Sequence, residues 1–112
     1  MQRDQEVYFD DIFEACVKIE DYTAGFTYET FIADDKTVDA VLRNLTVMGE
    51  AAKQLSEDAR NRFPGIDWKR VCGLRDVVVH QYPVIDLEVI WEIATNSVRE
   101  LRAALEARDR AG

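Results

Sequence analysis

Apolar residues recur at intervals of three and four along almost the whole chain, which is the spacing of helices with one buried face. Tyr8, Ile12, Ala15, Cys16, Ile19 and Thr23 form the first such stripe, broadened by Phe9 and Phe13 and ended by Gly25. Tyr28, Phe31 and Ile32 predict a short helical turn that packs as a lid. Asp34 or Asp35 is placed to cap a second long helix, with Val38, Val41, Leu42, Leu45, Met48, Ala52, Leu55 and Ala59 on one face. Gly49 falls in its middle, where glycine costs about 1 kcal/mol relative to alanine, so a close helix crossing is expected there. Phe63-Pro64-Gly65 breaks the pattern. Asp67 then caps a further helix with Trp68, Val71 and Leu74 inward, continuing through Val77, Val78 and Val79. The three valines are too short and isolated a run to pair as a strand. Pro83 disfavours helical geometry at Tyr82, so this helix stops at about Gln81. Asp86 caps the last helix, whose Leu87, Trp91, Ala94, Val98, Leu101 and Leu105 alternate spacings of four and three. Such a seam suits a bundle or a partner helix. The expectation is an all-α bundle of four long helices plus one short helix, forming a single domain over residues 1–112.

Size and composition narrow the classes of function. A chain of 112 residues with 47% apolar positions can bury about two thirds of its unfolded surface without staples. No apolar run approaches the roughly 20 residues that cross a bilayer, so no membrane partner is expected. The N-terminal stretch lacks the apolar core of a secretory signal, which predicts a cytoplasmic protein. Cys16 and Cys72 are far apart and read as small core hydrophobes. One histidine and two scattered cysteines exclude a His/Cys zinc cage within one chain.

The net charge of −8 argues at first against a nucleic-acid partner, because phosphate contacts need lysine and arginine. Its distribution weakens that objection. Residues 1–39 hold eleven Asp/Glu against three Lys/Arg, whereas residues 40–112 hold eleven of each. Within the neutral part, Arg60, Arg62, Lys69, Arg70 and Arg75 face only Asp67 over residues 60–75. Lys69 and Arg70 are the candidate RNA contacts in this window, although a window of solvated charges is an equally simple reading.

Chemistry centres on the only histidine, His80, in Arg75-Asp76-Val77-Val78-Val79-His80-Gln81-Tyr82. Asp76 and His80 are four apart and stack on one helix face. A carboxylate neighbour and the negative end of the helix dipole both favour a charged imidazole. Arg75 lies about 140° around the helix, but its side chain reaches past Asp76 to the same space. A cation that never deprotonates beside a histidine that does is a suitable pair for a phosphate diester. The plainer alternative is that His80 only terminates the helix, Asp76 only holds Arg75, and Tyr82 only packs. Glu50, beside Gly49, is placed to pair with an arginine near this region, as a structural ion pair. Asp10 with Glu14, and Asp34 with Asp35, read as solvated helix faces rather than metal carboxylates.

The spacing R-x4-H-x-Y, here Arg75, His80 and Tyr82, resembles the signature of HEPN domains, in the form carried by HepT-like toxins of prokaryotic toxin–antitoxin modules. Gly49-Glu50-Ala51, Pro64-Gly65-Ile66-Asp67-Trp68, and Val84-Ile85-Asp86 followed by Trp91 are similar to that family's other recurrent stretches, so the resemblance spans essentially the whole chain. It implies a HEPN-like bundle, a two-fold homodimer and a metal-independent endoribonuclease that needs no cofactor. Arg75 and His80 would be the catalytic pair and Asp76 the polar helper. Tyr82 would receive AMP from ATP through a cognate nucleotidyltransferase antitoxin. Asp76 departs from the asparagine usual in HepT-like proteins, and an aspartate beside the scissile phosphate repels it somewhat. A residue count supports the dimer independently. Metal-free RNA cleavage needs a base for the 2′-hydroxyl and an acid for the 5′-oxygen, and one chain has one histidine. Two chains meeting at one cleft supply two histidines and two arginines. The competing readings are a non-catalytic nucleotide- or RNA-binding module that serves as partner of a nucleotidyltransferase, and a helical adaptor pairing through the Leu87–Leu105 seam.

Overall fold

The computed structural model describes residues 4–80 and 85–111. The described residues are helical with no strand: α1 (Gln5–Thr23), α2 (Tyr28–Ile32), α3 (Asp35–Lys53), α4 (Glu57–Asn61), α5 (Trp68–Cys72), α6 (Leu74–His80), α7 (Leu87–Glu92) and α8 (Val98–Ala111). A π-helical turn, Ile93–Ser97, joins α7 to α8 without a break. The all-α expectation therefore holds for the described residues.

Side-chain caps set most of the helix starts. Asp34, Asp67 and Asp86 accept from backbone amides of the first turns of α3, α5 and α7, at the positions read from sequence. Asp34, not Asp35, is the residue that caps α3. Thr27 and Thr30 form a reciprocal capping box on α2. Gly25, at φ +80°, turns the chain after α1 into a left-handed conformation that side chains rarely adopt.

Three expected elements differ in detail. The second long helix does not run through Ala59. It ends at Lys53, and Ser56 restarts the chain as α4 by accepting from the Ala59 amide at 3.1 Å. The fourth helix is interrupted at Gly73 into α5 and α6, although the Val77 amide still reaches the Gly73 carbonyl at 3.0 Å. The lid is narrower than expected, because only Phe31 of α2 is buried while Ile32 is exposed.

Helices α1 and α3 pack antiparallel and form the centre of the molecule with α8. Phe9, Ile12, Cys16 and Ile19 from α1 meet Val41, Leu45, Met48 and Ala52 from α3, all at or near complete burial. Each large side chain removed from water here stabilises the fold by about 1.5–3 kcal/mol. Burial pushes the Cys16 thiol up to about 12, with Glu20 adding to the rise and Arg102 opposing it, which fits its reading as an inert core residue. Phe31 covers the end of the core and packs on Trp91 at 5.1 Å between ring centroids, with the ring planes tilted by 39°.

The last seam is internal. Ala94, Val98, Leu101 and Leu105 are buried within the chain, together with Ile90 and Ile93, which the alternating pattern does not include. The π turn explains the difference: the Val98 amide bonds to the Ile93 carbonyl five residues back, so the buried face changes phase at that point. An adaptor pairing through this seam loses Ala94, Val98, Leu101 and Leu105, which the protein's own core already occupies, whereas Leu87 and Trp91 are half-buried.

Candidate active site

Helix α6 carries the motif and lies against α3, where backbone proximity sets the geometry. A Cβ added at Gly49 would sit 2.6 Å from the Arg75 amide nitrogen and 2.9 Å from its Cβ. Only glycine lets the two helices approach so closely, which bears out the crossing expected at this position. The consequence is that Arg75 leaves α6 directly over the next turn of α3.

There it meets charge. Arg75 Nε lies 2.9 Å from Glu50 Oε1, and its Nη1 lies 3.6 Å from Asp76 Oδ1. Lys53, one turn beyond Glu50, donates to the same Asp76 oxygen at 3.5 Å. Two cations and two carboxylates from α3 and α6 thus form one half-exposed cluster. The Glu50 pairing expected from sequence is present, and its arginine is Arg75.

Lys53 was not singled out by the sequence. The available signal was its spacing of three from Glu50, which places both on one face of α3.

His80 is the last residue of α6, five positions beyond Arg75. Its side chain and all of Tyr82 lie outside the described residues, as does the expected Asp76–His80 stacking.

Two of the five cations in the basic window, Arg60 and Arg62, have structural duties. Arg60 donates to the Ala52 carbonyl at 3.0 Å, satisfying the C-terminal end of α3, and to Cys72 Sγ at 3.4 Å. Its own carbonyl accepts from the Trp68 indole at 3.0 Å. Arg62 pairs with Glu6 at 2.6 Å and lies over the Phe9 and Phe63 rings. Lys69 and Arg70 are exposed on α5, and neither side chain has an ion pair among the described residues. Arg70 borders an apolar groove of about 230 Å³ between α5 and α8, lined by Ile66, Leu74, Val98 and Leu101 among others. Two of the four carboxylates considered for metal are engaged elsewhere: Glu14 pairs with Lys18 at 3.1 Å, and Asp34 is the α3 cap.

A helical bundle with an arginine-led motif helix pinned at a glycine crossing is the architecture on which the comparisons bear. The family model Ribonuclease HepT-like matches residues 12–108. A protein of Methanocaldococcus jannaschii named "Putative RNase" is 41% identical over 97 residues, covering 87% of this chain and 80% of that protein. The "Probable ribonuclease HepT" of Thermococcus cleftensis is 34% identical over 106 residues, covering 95% and 96%. A "Putative RNase" of Caldanaerobacter subterraneus is 30% identical over 94 residues, covering 84% of each. No solved structure matches. The chain belongs to the HepT-like ribonuclease family.

Proposed function

We propose that the protein is an endoribonuclease that cleaves RNA without metal, acting as the toxin of a toxin–antitoxin pair. The observation that carries this reading is the fixed position of Arg75, held by the Gly49 crossing and by Glu50, five residues before the only histidine of a HepT-like chain. In this reading His80 moves the protons of the 2′-hydroxyl and the 5′-oxygen, and Arg75 stabilises the charge that builds on phosphorus. A homodimer supplies the second histidine, so that one acts as base while the other acts as acid. Lys69 and Arg70, exposed on α5, guide the RNA backbone. A nucleotidyltransferase antitoxin silences the site by adding AMP to Tyr82. The bulk and negative charge of AMP two residues from His80 exclude the RNA phosphate.

No helix among the described residues is long and apolar enough to cross a membrane. A cytoplasmic location remains part of the proposal.

The test is degradation of RNA by the purified protein in excess EDTA. Arg75→Ala and His80→Ala are each expected to lower cleavage at least about a hundredfold, the scale of a lost proton-transfer or charge-stabilising group. Unchanged rates in both variants would remove the assignment, and loss of wild-type cleavage in EDTA would remove metal independence.

A second reading, a binding module without turnover, is favoured by one observation: the charges of Glu50, Lys53, Arg75 and Asp76 sum to zero, which lowers the pull on a phosphate. Expression without a partner separates the two. Growth arrest supports the toxin, while normal growth with tight RNA or nucleotide binding supports the module.

A further inference from the structure

The cluster around Arg75 poses an electrostatic difficulty that its own geometry resolves. A guanidinium placed to receive a phosphate diester has two carboxylates within 3.6 Å, Glu50 and Asp76. Glu50 lies at the Nε edge of Arg75. Asp76 lies on the Nη1 side, and an aspartate there both dilutes the positive charge and repels the incoming anion. Lys53 reaches across from α3 and donates to Asp76 Oδ1 at 3.5 Å. We propose that Lys53 is a positioning residue that offsets the charge of Asp76, so that Arg75 is opposed by one carboxylate, Glu50, rather than by two when RNA arrives. This inference rests on the ribonuclease reading for its substrate, and it assigns Lys53 no contact with the phosphate.

The two side chains are 37% and 47% solvent-exposed, so the pair adds little to stability and its effect falls on the ligand. That separates a positioning role from a structural one. Lys53→Met is expected to keep the wild-type melting temperature while weakening RNA binding about five- to tenfold, the scale of one unscreened nearby charge. Asp76→Asn removes the carboxylate that Lys53 serves. The double variant Lys53→Met/Asp76→Asn is therefore expected to bind within about twofold of Asp76→Asn alone.

The experiment measures the affinity of the four full-length proteins for a 2′-O-methyl oligoribonucleotide, which binds without being cleaved, and their cleavage of the matching RNA. Recovery in the double variant supports the inference. A double variant as weak as Lys53→Met overturns it, because Lys53 then touches the phosphate itself. A Lys53→Met protein that binds like wild type overturns it as well. Coupled binding without wild-type cleavage would sink the nuclease reading alone, whereas cleavage with uncoupled binding would sink this inference alone. A wild-type protein that neither binds nor cleaves would sink both.

Discussion

Helices α1 and α3 contrast with α5 and α6 in what holds them in place. The first pair are nineteen residues each and meet through fully buried aliphatic and aromatic side chains. The second pair are five and seven residues and interrupted at Gly73; they bury Trp68, Val71 and Leu74, but α6 also meets α3 through a backbone contact at Gly49 and a half-exposed charge cluster. Apolar burial is non-directional and tolerates small shifts, so it suits a scaffold. A close backbone approach fixes where one arginine leaves its helix, and paired charges then fix where it points, so this part suits a site. The scaffold is insensitive in detail, whereas the motif helix, although Leu74 anchors it in the core, takes the placing of its arginine from single atoms.

The contrast is broken most forcefully from the scaffold side. Phe9 is wholly buried and packs against Phe63 and Trp68, with ring centroids 5.2 and 6.1 Å away. Phe9→Ala is expected to cost about 3–5 kcal/mol in denaturant unfolding, while cleavage per folded molecule stays near wild type. Gly49→Ala comes next. Its methyl group would press on the backbone of Arg75, which has no rotamer by which to yield, so a loss of about 1–3 kcal/mol is expected. Here activity should fall by more than stability explains, because the shift displaces α6. Equal loss of activity per folded molecule in Phe9→Ala and Gly49→Ala would dissolve the distinction. The smallest effect sharpens it: Ser56→Ala removes the α4 cap and should cost about 1 kcal/mol in thermal unfolding, leaving the RNA affinity unchanged.

The same contrast governs what the sequence made legible. Stripes of apolar residues exposed the scaffold directly, down to Tyr8, Ile12, Cys16 and Ile19 on one face of α1 and the caps at Asp34, Asp67 and Asp86. Periodicity was blind where the chain changes its path without changing its phase. Leu55 and Ala59 stay buried in step with α3, although the helix has already ended at Lys53. It misled where phase changes inside a continuous helix, as at Ile90, ahead of the π turn, and at Ile93, its first residue. In the site, Gly49 stood out because glycine in a helix interior needs a reason. The engagement of Arg60 and Arg62 did not, because a cation's partner is chosen in three dimensions: a carbonyl of α3 for one, Glu6 and two rings for the other.

The five-residue hydrogen bond that joins α7 to α8 leaves one residue more in that turn than a regular helix holds. A turn of this kind is what an α-helix makes when it absorbs a single inserted residue and keeps both flanks seated. Removing one residue between 93 and 97 is therefore the change in length that α8 is expected to absorb, closing into a regular helix with the same neighbours.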